Sequence, residues 1–255
     1  YWSVATSGPK AKTRGGVPIG PDHDASLFGP VDQWAYERVR SAPLPLTPEY
    51  GADAWRFHTA LNLLRTPDLG LMSCWSPSFL VDLMVFIDSN LSELLAELDT
   101  ERREAIEGRL TQTPDNVAEA IWPKLTLISC WGDAQMEIGL RQLDEHFLGV
   151  SIQRKGLMNT EAVISVPFGT EPGAVCALTS HVFEFEDLAA PAQRPRLLHQ
   201  LEPGAQYVPI VSTSGGLYRY RTGDVIRCVD LQGETPRVVF ETGSFSAPTS
   251  RSTQV

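Results

Sequence analysis

The residue types best suited to chemistry lie in Ser212 to Arg227, which reads STSGGLYRYRTGDVIR. A Ser/Thr/Gly-rich turn leads into Leu217, Tyr218, Arg219, Tyr220 and Arg221. Thr222-Gly223-Asp224 follows, then an apolar strand from Val225 to Val229. Gly223 lets the backbone turn sharply. Asp224 is thereby presented at a strand boundary, where a carboxylate can accept hydrogen bonds from a vicinal diol such as a ribose. The plainer alternative is a β-hairpin whose aspartate only satisfies the turn backbone.

Several elements must position this stretch. Asp24 opens a helical segment toward Arg40, with Leu27, Val31, Trp34, Ala35 and Val39 as its apolar positions. Further helices are expected over Asp53 to Leu64, Phe79 to Leu98, Glu101 to Leu110 and Ala134 to Phe147. Asp68 to Cys74 and Leu125 to Cys130 read as buried strands among them. Strands then crowd together at Ser151–Ile152, Ala162–Val166, Ala174–Phe185, Gln206–Val211, Leu217–Tyr220, Val225–Val229 and Arg237–Phe240. The first half thus alternates strand and helix and the second half is sheet-rich, which argues for an α/β fold.

The chain has 255 residues, 42% of them hydrophobic and 20% charged, enough to bury a core as one large domain or two small ones. A net charge of -10 argues against a nucleic-acid partner, which calls for clustered Lys and Arg. There is no run of 18 apolar residues for a membrane span and no basic-then-apolar leader. Cys74, Cys130, Cys176 and Cys228 lie far apart in apolar runs without zinc-ligand spacing, so the expected compartment is the reducing cytoplasm. Ser7-Gly8-Pro9-Lys10 fits S-x-x-K, but Pro9 spoils the helix which that motif needs. The chain begins at Tyr1, inside an apparent strand to Ala5, and finishes in a Ser/Thr-rich stretch. Both ends read as cuts through a longer protein, with 241–255 expected to be a disordered tail.

Four stretches in order resemble the auxin-responsive (Gretchen Hagen) family of acyl-acid amido synthetases in its bacterial form, within the luciferase-like adenylate-forming superfamily. Ser212-Thr213 and Gly216 through Val225 match the family's ribose motif. Ile121-Trp122-Pro123-Lys124-Leu125 with Ile128-Ser129-Cys130-Trp131 is similar to the approach to its central strand. Lys155 through Ala162 resembles its second nucleotide motif, and His181-Val182-Phe183-Glu184-Phe185 the strand that comes next.

The resemblance implies that residues 1–240 are the central part of a large N-terminal adenylate-forming domain, with mixed sheets flanked by helices. It implies ATP and Mg²⁺ as cofactors, and a small carboxylic acid and an amino acid as substrates. Acyl adenylation brings two anions together, so a cation and hydrogen-bond donors must offset their repulsion. By resemblance Thr160 donates to the α-phosphate and Glu161 ligates Mg²⁺, while Asp224 takes the ribose. Asn159 and Tyr218 belong to the nucleotide site. The Trp131-Gly132-Asp133 turn follows a strand, so Trp131 and Gly132 are candidates for the adenine side, with core packing the alternative for Trp131. Trp75, Phe79, Leu83 and Met136 would wall the acid pocket, or pack as ordinary core.

Three departures accompany the match. The superfamily's phosphate loop belongs upstream of Tyr1, Phe240-Glu241-Thr242-Gly243-Ser244 lacks the arginine of the family's Phe-x-Gly-Arg segment, and the family's small C-terminal domain is expected to be missing as well. A coenzyme A ligase with a thiol acceptor and a truncated, non-catalytic binding module therefore remain as alternatives. The oligomeric state is left open by the sequence.

Overall fold

A computed structural model of the chain describes residues 1, 11–15, 18–19, 29–39, 41, 52–133, 136–169, 171 and 173–241. The expected Tyr1–Ala5 strand beyond its first residue, the start of the first helix, the S-x-x-K stretch and the 242–255 tail lie outside them. The chain divides into two compact units, residues 1–130 with 138–152, and residues 131–137 with 153–255.

The first unit is helical around a small sheet. Its elements are β1 (Ala11–Lys12), β2 (Pro18–Ile19), α1 (Pro30–Val39), α2 (Ala52–Leu64), β3 (Leu71–Ser73), α3 (Pro77–Ala96), α4 (Thr100–Leu110), α5 (Val117–Ile121), β4 (Leu127–Cys130) and α6 (Glu137–His146), with β5 (Ser151–Arg154) leading onward. Strands β3 and β4 run parallel, Leu71 opposite Leu127 and Ser73 opposite Ser129, and β5 completes the order β3-β4-β5.

Helix α3 starts where Pro77 pre-sets the helical backbone and buries Leu80, Leu83, Met84, Ile87 and Leu94 at helical spacing. It bends at Asn90, whose backbone leaves helical geometry (φ -121°) while its side-chain amide donates to the Phe86 carbonyl at 2.8 Å. Asp99 caps α4 by accepting from the Arg102 amide at 2.9 Å. Among the described residues, no helix is long and apolar enough to cross a membrane.

The second unit holds an eight-stranded sheet. Its strands are β6 (Ser165–Val166), β7 (Ala174–Cys176), β8 (Val182–Asp187), β9 (Arg196–Leu197), β10 (Gln206–Ser212), β11 (Tyr220–Arg221), β12 (Val225–Gln232) and β13 (Thr235–Glu241). They lie in the order β6-β7-β13-β12-β10-β8-β9, and β11 also pairs with β10. All of these pairings are antiparallel. One sheet face buries Ile164, Phe183, Phe185, Tyr207, Val211, Ile226 and Val238 as a second apolar cluster.

The expected division into a strand–helix half and a sheet-rich half holds, with three corrections. The apolar positions Val31, Trp34 and Val39 of α1 are exposed, and Trp34 is instead covered by the Arg38 guanidinium at 4.3 Å. Ala174–Phe185 is two strands, because Ser180 turns the chain by donating to the Ala177 and Val163 carbonyls. Leu217–Tyr220 is mostly loop. Thr213 closes a turn onto Leu217 (2.8 Å), and Arg219 has φ +50°, which no strand accommodates, so pairing starts only at Tyr220.

Candidate functional site

Two local structures in the sheet-rich unit carry the residues expected to do chemistry. The first is a hairpin over Gly156–Ser165. The Ile164 and Ser165 amides both reach the Leu157 carbonyl, and the Leu157 amide donates to Ser165 Oγ at 2.9 Å. A side chain at Gly156 would place its Cβ 2.1 Å from the Ser165 carbonyl oxygen, so only glycine lets the two arms close. At the tip, the Asn159 amide donates to the Ala162 carbonyl at 3.2 Å, and Asn159 Oδ1 accepts from the Ala162 amide at 2.8 Å. Thr160 and Glu161 are the two residues this turn pushes outward.

The second structure is the Thr222–Asp224 turn between β11 and β12. Gly223 sits at φ +84° with open space around it, so its glycine is required by conformation and not by packing. Thr222 anchors the turn to β10, donating through both its amide and its hydroxyl to the Pro209 carbonyl at 3.1 and 3.2 Å. Asp224 is half-buried.

The two structures meet. Asn159 Nδ2 donates to Asp224 Oδ2 at 2.9 Å, linking positions 65 residues apart. Thr160 Oγ1 donates to Glu161 Oε2 at 2.8 Å, and the Tyr220 hydroxyl donates to Glu161 Oε1 at 3.2 Å. The Thr160 hydroxyl, helped by Tyr220, holds the Glu161 carboxyl below the usual carboxylate range. Amide, hydroxyls and two carboxylates therefore face one region that can receive a polar, oxygen-rich ligand.

Among the described residues, no three His, Cys, Asp or Glu side chains gather to hold a metal by themselves. Magnesium seldom needs such a cage. It takes one or two carboxylates and completes its shell with water and phosphate oxygens. Glu161, ionised and accessible, fits that part.

The other expected residues fall elsewhere. Trp131, Gly132 and Asp133 form a turn in the same unit, docked on the end of β13. Phe240 donates its amide to Asp133 Oδ2 at 3.1 Å, and its ring lies 5.6 Å from that of Trp131. The Gly132 carbonyl accepts from Arg154 at 2.9 Å, and Arg154 also pairs with Glu137 at 3.0 Å. Burial pushes the Asp133 carboxyl up, against the smaller opposing effects of the Phe240 amide and Arg154. Tyr218 stands 83% exposed in the loop before β11.

Of the expected acid wall, Leu83 is buried in the core of the first unit. Phe79 stacks obliquely on Trp55 at 5.5 Å, and Trp75 is half exposed. Met136 belongs to the second unit. A cleft of about 420 Å³ lined by Asp187, Gln206, Arg227 and Glu241 includes none of the expected residues.

Four charged residues and one tyrosine contribute without having been assigned a role from the sequence. Arg219 grips Glu184 through two nitrogens at 2.7 and 3.2 Å, and Arg221 grips Glu186 likewise at 2.8 and 3.2 Å. The registers Ile210↔Arg221 and Ile210↔Glu184 carry Arg221 and Glu184 to one face of β10. Tyr220, next in the strand, therefore points to the opposite face, where Glu161 lies. The signal was the alternation of Tyr and Arg through 218–221 set against the Glu184-Phe185-Glu186 alternation.

Residues 174–242, which include β7 to β13 and the Gly-Asp turn, match the sequence model of the GH3 family central domain. The chain is similar to GH3 acyl acid amido synthetases in sequence and in fold. A rice (Oryza sativa subsp. japonica) protein described as a probable indole-3-acetic acid-amido synthetase, GH3.6, is 28% identical over 140 residues, spanning 49% of this chain and 28% of that protein. Two solved structures share the fold. GH3.15 acyl acid amido synthetase aligns with a TM-score of 0.72 at 18% identity. AtGH3.15 in complex with 2,4-DB aligns with a TM-score of 0.76 at 17% identity. Each alignment covers 92% of this chain and 46% of the solved chain, so the chain spans about half the length of those proteins.

Proposed function

We propose that this chain takes part in ATP-dependent activation of a small carboxylic acid as its acyl adenylate, followed by amide formation with an amino acid. A carboxylate oxygen of the acid bonds to the α-phosphorus of ATP as the bond to pyrophosphate breaks. The amine nitrogen then bonds to the acyl carbon, AMP departs and the amine loses a proton. In this reading Asp224, braced by Asn159, accepts from the ribose hydroxyls. Thr160 donates to the α-phosphate oxygen. Glu161 would hold Mg²⁺, which when bound offsets charge on the phosphates. Trp131 and Gly132 take the adenine side and Tyr218 its approach, while Trp75 and Phe79 contribute to the acid pocket. Residues 1–240 are read as part of one adenylate-forming domain, in a cytoplasmic setting that accords with four buried cysteines outside any disulfide.

The observation that carries the reading is the Asn159–Asp224 hydrogen bond, which joins the hairpin tip to the Gly-Asp turn. Homology over residues 174–242 supports it from the Asp224 side. Calorimetry of AMP and ATP binding tests it. Asp224→Ala should weaken both nucleotides roughly ten- to a hundredfold, as expected for a lost charge-assisted hydrogen bond of ~1.5–3 kcal/mol. Glu161→Ala should weaken ATP with magnesium while sparing AMP. Unchanged AMP affinity in a folded Asp224→Ala chain would remove the ribose assignment. Supplying amine or thiol acceptors to an enzyme with this site then separates amide from thioester formation.

A further inference from the structure

Thr160 and Glu161 hydrogen-bond to each other in this structure, so neither is free for the role assigned to it above. Seating a phosphate on Thr160 requires its hydroxyl to leave Glu161 Oε2, and that uncovered oxygen is then open to a cation. One event serves both. Once the Thr160 bond opens, something else must keep the Glu161 carboxylate in place, or its side-chain freedom returns and the cation must order it anew.

Tyr220 meets that need from outside the hairpin, beyond the hydrogen bond that the Glu161 carboxylate receives from its own backbone amide. Its hydroxyl donates to Oε1, the oxygen that Thr160 does not use. It also comes from a separate element, 59 residues away in sequence. Its own position is fixed from behind. Tyr220 pairs with Val211 in β10, and the next residue, Arg221, forks onto Glu186 from the opposite face. The preceding residue, Arg219, has its amide on Ser212 Oγ at 2.9 Å and its guanidinium on Glu184. Tyr220 thus sits between two forked arginines that tie β11 to β8 across β10.

We propose that Tyr220 is a positioning residue for Glu161: it holds one carboxylate oxygen in place while the other exchanges the Thr160 hydroxyl for a divalent cation carried on a nucleotide phosphate. The Thr160–Glu161 pair is then a latch released in a single step, freeing a donor for phosphate and an acceptor for metal together. This rests on the adenylation reading, and Tyr220 touches no reacting atom.

The test is calorimetric binding of a non-hydrolysable ATP analogue to the 255-residue chain across a magnesium series, for the native sequence and Tyr220→Phe. Tyr220→Phe should raise the magnesium concentration needed for half-maximal analogue binding roughly tenfold, since a bond to a charged group is lost. AMP affinity without metal should stay at the native value, which also reports that the variant is folded. Equal magnesium dependence in native and Tyr220→Phe chains overturns the positioning role and leaves the adenylation reading standing. Failure of the native chain to bind either nucleotide overturns both.

Discussion

Among the described residues, each unit buries one arginine, and the two are put to different use. In the helical unit, Arg102 donates to the Leu64 and Ile121 carbonyls at 2.7 and 2.6 Å, at the last residues of α2 and α5. Trp122 does the same for Leu63 at 2.9 Å. Such carbonyls stand at helix ends and are costly to bury unpaired, and the Leu63 carbonyl also accepts from the Thr66 amide at 3.0 Å. In the sheet-rich unit, Arg237 is 1% exposed and donates to the carbonyls of Phe168, Glu171 and Gly173, in the connection between β6 and β7. There the guanidinium stands in for a ladder that an irregular connection cannot form. The helical unit closes its polar groups inward on helix ends. The other uses side chains to hold turns whose tips face outward, and its Thr160, Glu161 and Asp224 sit on such tips.

The largest expected effect lies in the helical unit. Ile87 is fully buried on α3, and Ile87→Ala should cost about 2–5 kcal/mol in denaturant unfolding. A loss below ~1 kcal/mol would show that this core yields easily, and the contrast with the hairpin-based unit would weaken. Gly156→Ala probes the sheet-rich unit. The added methyl meets backbone, which cannot swing aside, so a loss of roughly 1–3 kcal/mol is expected, with disturbed nucleotide binding if the hairpin tip shifts. Wild-type stability in that variant would mean the arms of the hairpin separate freely.

Asp133→Asn should have the smallest effect and the opposite sign. Burial raises the folded-state pKa of Asp133 above its unfolded value. The group therefore favours the folded state most at low pH, below the unfolded pKa, and this contribution is lost as pH rises through the folded pKa. Asparagine keeps an acceptor for the Phe240 amide without the charge. The variant should be slightly more stable than the native chain at neutral pH and lose that advantage in acid. Thermal melts at pH 7 and near pH 4 would check it, and a destabilised variant at pH 7 would show that the charge itself is needed.

Much of the architecture was legible because its causes are local. The period of Leu80, Leu83, Met84 and Ile87 specifies α3, and Pro77 fixes its start. The Gly-Asp turn and the Thr-Glu pair were likewise readable as short motifs. Tyr220–Glu161 and the Arg–Glu forks were not, since they depend on how β8, β10 and β11 align across 35 to 59 residues. Arg219 hid for another reason. Its residues alternate like a strand, but the Ser212 hydroxyl and the Thr213–Leu217 turn hold it in a left-handed conformation. Exposure of the apolar residues on α1 was also beyond pattern reading, because periodicity reveals a stripe and not its covering.

The four cysteines fall two to a unit, Cys74 and Cys130 in the helical one and Cys176 and Cys228 in the sheet-rich one, all buried and unbridged. Burial pushes the Cys176 thiol up to about 12 and raises that of Cys228, so little reactive thiolate exists while the sheet is closed. Alkylation must then wait for a thiol to be uncovered. The chain carries a native pair of chemical clocks in each half, and mass spectrometry of the labelled peptides can time the opening of each half on its own.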